Sequence, residues 1–460
     1  MERTVAAALA AWLRAPDRKP LVLRGARQVG KTWLVRDLAR RSGRELAEFN
    51  FERDPSFARY FLTSDPAKIL GELSLALGRD VSPERSLLFL DEIQAATSVF
   101  AKLRWFYEEM PSLPVVAAGS LLELSLGEGH FSMPVGRVSF QHIEPMGFRE
   151  FLEAHDQQRL LNALREWTPG ASPLPEAAHE RATEWLHRYS MVGGMPAVVA
   201  MDVSGRDARA CRELQRDLVA AFRADFAKYS GRMNPSVLDA TLHAVAGSLG
   251  RKLVYAHFEG GVKQHQARRA LDLLVGARVC HLVRHSAANG LPLGAEVKDT
   301  FRKAILADVG LAHALLGTAA ATAFPSWTDL APAVRGQLAD QLAGQQLRLT
   351  DALTGDGPEL FYWQREGGRP GEIDYLVVVE GRIVPVELKS GAAGSMKSLH
   401  QFMFDKHLDL AVRCDANAPS LMQVSVKTTR GDPVSYRLLS LPPYLLWALP
   451  EAVRRVAGSR

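Results

Sequence analysis

Apolar and polar positions alternate with two periods along this chain, and the switches between them outline its elements. Leu21-Val-Leu reads as a short buried strand, and Trp33, Leu34, Val35 and Leu38 form an apolar stripe on the helix that follows. Leu87 to Leu90 is an unbroken apolar run, as in a parallel strand covered on both faces, and "LPVVAA" from Leu113 is another. Helical spacing then takes over. In "GRDARACRELQRDLVAAFRADFAK", Leu214, Leu218, Ala221 and Phe222 share one face and charges fill the other. Beyond Pro235, "SVLDATLHAVAGSL" and "VKQHQARRALDLL" predict short helices. In the second, Ala267, Ala270, Leu271 and Leu274 point inward, with Lys263, Gln264, Arg268 and Arg269 outward. Val279 to Val283 then predicts a strand turning at Asn289-Gly290, so this order predicts a winged helix.

The turn between the first strand and helix, Gly25-Ala26-Arg27-Gln28-Val29-Gly30-Lys31-Thr32, fits G-x-x-x-x-G-K-[ST] at every fixed position. Its glycines let backbone N–H groups turn inward around phosphates, and the helix N-terminus adds partial positive charge. Lys31 is expected to reach the β and γ phosphates, and Thr32 to offer a hydroxyl to Mg²⁺. The loop from Gly25 through Thr32, with Trp33 beside it, is the expected nucleotide cradle. A carboxylate must follow on a nearby strand. "SLLFLDEIQ" supplies it: Asp91 to hold the Mg²⁺ shell and Glu92 to polarise the attacking water. "LPVVAAGS" closes on Ser120, expected either to sense the γ phosphate or to cap the next helix. "MPVGRVSF" presents Arg137 as a charge-stabilising arginine for the transition state.

The carboxyl-terminal part carries a second chemical pattern, "GEIDYLVVVEGRIVPVELKSG". Tyr375 to Val379 and Ile383 to Leu388 flank Glu380-Gly381, a tight hairpin turn. If those two residues form the loop, Val379 faces Arg382, and counting outward sets Asp374 opposite Glu387. Lys389 projects from the same face as Glu387. Asp374 and Glu387 would then coordinate Mg²⁺ while Lys389 orients the attacking water. Upstream, "VRGQLADQLAGQQL" predicts a helix whose Asp340 offers a further acidic ligand.

Taken together, "GARQVGKT", "LLFLDEIQ", "AAGS", "PVGRVSF…EPMGFREFL", "YSMVGGMPAVV" and "VPVELKSG" resemble prokaryotic AAA-type, archaeal-ATPase-like ATPases that carry a C-terminal domain of unknown function. The resemblance spans nearly the whole chain. It implies an ATP-binding N-terminal module with Lys31, Thr32, Asp91 and Glu92 in the roles given above, and the choice of adenine rests on it alone. Asp225 and Lys228 match its pattern without an assigned chemistry. Asp374, Glu387 and Lys389 resemble the D…E-x-K core of restriction-endonuclease-like PD-(D/E)XK domains. There the resemblance implies a Glu where this chain has Asp340.

The expected fold is α/β: a P-loop NTPase domain with a parallel sheet over residues 1–150, a helical region over 151–232, a winged helix over 233–315 and an endonuclease-like α/β domain over 330–445. With 460 residues, 47% hydrophobic and 23% charged, the chain is long enough for several cores. Fifty-six basic against 51 acidic residues give a net charge of +5, compatible with a local basic face but not by itself a mark of nucleic-acid binding. Three cysteines without metal spacing fit a reducing cytoplasm. No apolar run reaches membrane-spanning length, and the first residues read as an amphipathic helix rather than a leader. Expected cofactors are ATP and Mg²⁺. Expected partners are DNA, a protein partner or further copies of this chain, and no membrane. Two functions stay open at this point: an ATP-hydrolysing enzyme acting with or on nucleic acid, its last domain cutting or gripping it; or an ATP-driven signalling or scaffold switch whose C-terminal domains bind partners without catalysis.

Overall fold

The structure, a computed structural model, describes residues 1–119, 136–226, 233–254, 262–317, 330–351, 359–367, 371–389 and 396–458. Ser120 and Lys228 lie outside the described residues.

The amino-terminal third is an α/β layer. Strands β1 (Leu21–Arg24), β2 (Glu45–Asn50), β3 (Ser86–Asp91), β4 (Val115–Ala118) and β5 (Ser139–His142) form a parallel sheet in the order β2-β3-β4-β1-β5. Helices α1 (Val5–Arg14), α2 (Lys31–Ser42), α3 (Pro66–Leu77) and α4 (Thr97–Glu109) cover it. Every residue of β3 and β4 is buried, which is why neither alternates in hydropathy. Successive residues feed two different cores: Leu87, Phe89, Val116 and Ala118 on one side, Leu88, Leu90, Val115 and Ala117 on the other.

Helices α5 (Phe148–Ala154), α6 (Gln158–Glu166), α7 (Glu176–Val192), α8 (Pro196–Val203), α9 (Ala208–Asp225), α10 (Pro235–Gly247) and α11 (Gln264–Gly276) follow. On α11, Ala267, Ala270, Leu271 and Leu274 are buried, and Lys263, Gln264, Arg268 and Arg269 are exposed. The hairpin after it departs from a free-standing wing. Strands β6 (Cys280–Ser286) and β7 (Val297–Leu306) pair antiparallel, but β6 also pairs in parallel with β8 (Leu360–Gln364). They thereby become one end of an eight-stranded sheet, order β12-β13-β11-β10-β9-β8-β6-β7. Its other strands are β9 (Glu372–Val379), β10 (Arg382–Leu388), β11 (Leu410–Cys414), β12 (Ser420–Lys427) and β13 (Pro433–Ser440). The physical reason is burial: most of β6 is inaccessible, and its main chain needs hydrogen-bonding partners on both edges.

Helices α12 (Val309–Leu315) and α13 (Pro332–Asp351) tie the two sheets together, with α14 (Lys397–Asp405) and α15 (Leu449–Gly458) completing the carboxyl-terminal part. Leu338, Leu342, Ala343 and Leu347 of α13 belong to the same apolar cluster as Leu34 and Val35 of α2. Gln341, Gln345 and Gln346 on the same helix are buried too, and Gln341 and Gln345 bond to main chain. Gln341 brackets Leu306, accepting from its N at 2.7 Å and donating to its O at 2.8 Å. Gln345 accepts from Val309 N at 2.9 Å and donates to Asp308 and the Tyr189 hydroxyl, both at 3.1 Å. Asp308 in turn accepts from Gly194 N at 2.5 Å. Gly194 has no room for a side chain, because a Cβ there would stand 2.0 Å from Met146 O. This interlock accounts for the glycine pair in "VGGMP" and for the segment "EPMGF" that it grips.

Within the same bracket, Arg348 of α13 donates to Glu144 at 2.6 Å, with both side chains buried. Burial alone would raise the Glu144 pKa, but Arg348 and the nearby Arg278 outweigh it and hold the carboxyl down at about 2.

Candidate functional site

Two sites can be built from these elements. The first lies at the carboxyl ends of β1 and β3. Gly25 leaves β1 with φ 155°, and a Cβ there would meet Ile143 O at 2.2 Å, so the loop and the segment after β5 fit only through a glycine. Val29 and Ala26 are buried beneath the loop. Lys31 starts α2 and is itself buried, its Nζ donating to Gly25 O at 2.9 Å and Ala26 O at 2.8 Å. The ammonium therefore lies folded over the cradle it is expected to serve.

Thr32 Oγ1 donates to Asp91 Oδ2 at 3.1 Å, so the two residues expected to hold a cation meet. Asn50 Nδ2 donates to the same oxygen at 3.1 Å, and Glu92 N donates to Asp91 Oδ1 at 3.1 Å. Burial first, and then the neighbouring Glu92 charge, raise the Asp91 pKa. Glu92 sits just past the strand in left-handed backbone, φ 50°, with Gln94 donating to its carboxylate at 2.5 Å.

Sequence reasoning missed the loop's braces. Arg3 is buried and donates to Val29 O at 3.0 Å, to Glu144 O at 2.7 Å and to Glu150 at 3.1 Å. Arg27 pairs with Asp225, the last residue of α9, and with Glu52 at 3.4 Å. Asp225 thus fastens the helical region to the loop. Asn50 was accessible to reasoning, since parallel pairing of β2 with β3 sets it beside Asp91.

Two expectations need correction. Trp33 is not part of the buried stripe: it is 44% exposed at the first turn of α2, while Leu34, Val35 and Leu38 are buried. Arg137 lies at the wrong end of the sheet. It precedes β5, whose Ser139 pairs with Leu21 at the start of β1, and it bonds Glu108 at 2.9 Å at the end of α4. The loop leaves the opposite end of β1, roughly 10 Å of strand away, so Arg137 does not serve its own chain's phosphates.

The second site lies on the larger sheet. Strands β9 and β10 pair Arg382 with Val379 through to Val386 with Tyr375, the register counted outward from Glu380-Gly381. Asp374 Oδ2 accepts from Leu388 N at 2.7 Å, and Lys389 donates to Glu387 Oε1 at 2.7 Å. Glu387 Oε2 is buried without a hydrogen-bond partner. Asp340 comes from α13, its carbonyl accepting from the Tyr375 hydroxyl at 2.9 Å. Burial, followed by the Asp374 charge, raises Asp340 to about 8 and Glu387 to about 7, and burial raises Asp374 as well. Glu372 and Lys303 also act on this cluster, and neither was legible from the sequence. Among the described residues, no three acidic, His or Cys side chains close on a common point as metal ligands.

With this geometry in view, the family comparisons divide the chain in three. An AAA domain model matches residues 17–152. A domain of unknown function (DUF8612) matches 183–322, and another (DUF4143) matches 335–425. No curated protein matches the chain. Among solved structures, the Walker-type ATPase PABY2304 of Pyrococcus abyssi is similar at 16% identity and TM-score 0.42, covering 68% of this chain and 94% of that one. The Aeropyrum pernix ORC1 protein, solved in complex with DNA, gives 15% and 0.26, covering 68% and 90%. The Aeropyrum pernix ORC2 protein gives 13% and 0.24, covering 70% and 96%. The AAA match, the loop and the parallel sheet define the amino-terminal part as a P-loop ATPase domain. Among the described residues, no helix is long and apolar enough to cross a membrane.

Proposed function

We propose that this protein hydrolyses ATP with Mg²⁺ at the first site and acts on nucleic acid, with the carboxyl-terminal PD-(D/E)XK-like cluster cutting or gripping DNA. The hydrogen bond between Thr32 and Asp91 beside the loop carries the first half. Lys31 would reach the β and γ phosphates, backbone N–H groups from Gly25 to Thr32 would cradle them, and Glu92 would polarise the attacking water. Thr32 and Asp91 are hard oxygen donors of the kind Mg²⁺ takes, and the ion would offset charge on the phosphates.

For the second half, the partnerless Glu387 Oε2 next to Asp374 and Asp340 supports a hard-cation site. Asp374 and Glu387 would hold Mg²⁺, with Asp340 close by, and Lys389 would orient water. A bound cation would supply charge stabilisation on a phosphodiester. The exposed Lys263, Gln264, Arg268 and Arg269 of α11 are side-chain types that contact phosphates and base edges. A switch without chemistry is the second reading. It is favoured by α13, which carries Asp340 and, about two turns further on, grips the ATPase segment through Arg348.

Glu92→Gln is expected to keep ATP binding and lower turnover by about two to three orders of magnitude, because only water activation is lost. Hydrolysis at the wild-type rate would remove Glu92 as the base. ATP turnover with and without DNA tests the link between the sites. Stimulation supports the nucleic-acid reading. For the cluster, Asp374→Ala and Lys389→Ala should each end Mg²⁺-dependent DNA cleavage. Wild-type protein that cleaves no DNA substrate, single-stranded, duplex or branched, would leave the switch reading standing.

A further inference from the structure

The carboxylate cluster contains a cation from outside the 335–425 segment. Lys303 belongs to β7, within the 183–322 segment, yet its ammonium ion-pairs with Glu372 of β9. It also lies 4.7 Å from the centre of the Tyr362 ring on β8. Lys303 is 3% exposed. A buried ammonium persists only where charges and dipoles replace its water, and here the Glu372 carboxylate, the Tyr362 ring and the fields of Asp340 and Asp374 do so. The incorporation of β6 and β7 into the larger sheet is what brings this side chain to the site.

Four carboxylates, Asp340, Glu372, Asp374 and Glu387, lie close enough to act on one another electrostatically, and two ammonium groups, Lys303 and Lys389, act on them. Burial favours the protonated forms of Asp340, Asp374 and Glu387, and cation binding displaces those protons; with all four carboxylates ionised, four negative and two positive charges leave a formal −2, which one divalent cation balances. Without Lys303 the balance becomes −3, enough to draw a first cation more strongly or to admit a second.

Resting on the metal-site reading above, we propose that Lys303 is a positioning residue of this site: its ammonium stands as a fixed second cation and limits the cluster to one divalent ion. The site is then composite, completed by the hairpin of the preceding segment. Lys389, paired with Glu387 at 2.7 Å, is then the ammonium beside the expected water, and Lys303 supplies the remaining static charge.

The test is a Mn²⁺ titration of the full-length protein without nucleotide, free Mn²⁺ being followed by electron paramagnetic resonance. All variants carry Asp91→Asn so that the ATPase ligand does not contribute. The parent is expected to bind one Mn²⁺ per chain. Lys303→Met should tighten binding by at least about tenfold or admit a second ion, while Lys303→Arg should behave like the parent. Lys303→Met leaves the partly exposed Glu372 without its ion-pair partner and can cost stability, so the paired variant Lys303→Met/Glu372→Gln is measured alongside. It restores the −2 balance and should return to one ion, with affinity within about threefold of the parent. Unchanged or weaker Mn²⁺ binding in Lys303→Met, or tightening that persists in the paired variant, overturns the proposal. Failure of the underlying metal reading shows separately, as Mn²⁺ binding that Asp374→Asn does not diminish.

Discussion

Lys31→Ala is expected to bring ATP turnover down by about three orders of magnitude or more, to the background of a preparation without active sites. The ammonium is the mobile positive charge closest to the loop's carbonyls, at 2.8 and 2.9 Å from Ala26 and Gly25. Once a triphosphate enters, those carbonyl contacts are exchanged for phosphate oxygens, whose charge grows in the transition state. A fixed charge aimed at developing charge is worth this much in phosphoryl transfer. Lys31 is buried, so no solvent cation substitutes for it at equal effect. Steady-state phosphate release measures the outcome, and retained full activity would remove the loop from the mechanism. Lys31→Arg should not rescue, because a planar fork does not fit where a point charge lies.

The second large effect concerns stability. Arg348→Ala is expected to destabilise the protein by about 3–5 kcal/mol, because it leaves the Glu144 carboxylate buried with its principal counter-charge gone. The carboxyl is held at about 2, below its ordinary 4.5, so its ionised form stabilises the fold. That contribution is complete above pH 4.5 and is lost as pH falls from there toward 2. Urea unfolding midpoints at pH 7 and pH 3 check both statements: the gap between wild type and Arg348→Ala should narrow at the lower pH. A gap below about 1 kcal/mol at pH 7 would place this pair among ordinary surface bridges.

The parts of this molecule that were legible in the sequence are those fixed by short-range rules. The phosphate loop follows from its own spacing, and the β9–β10 register follows from a two-residue turn that permits one alignment. The buried strands were readable because coverage on both faces removes alternation. What failed was set by distant packing. Trp33 shares helical spacing with its neighbours but falls on the open side, a difference of orientation that spacing alone does not decide. Arg137 is near β5 in sequence but at its amino end, and strand direction rather than proximity decides what it reaches. A strand pair that closes a sheet and a wing that projects from one carry the same pattern, so β6 and β7 were misread. Nothing in the sequence around Lys303 marks the carboxylate it pairs with, 69 residues away on another strand. Arg3, 147 residues from its partner Glu150, left no local trace at all.

The sharing of one sheet by β6–β7 and β8 has a practical side. A polypeptide begun near residue 330 would present the unpaired edge of β8 to any neighbour, and bare edges of that kind recruit strands from other molecules. The two stretches of unknown function share this sheet, so soluble expression is expected to need both together.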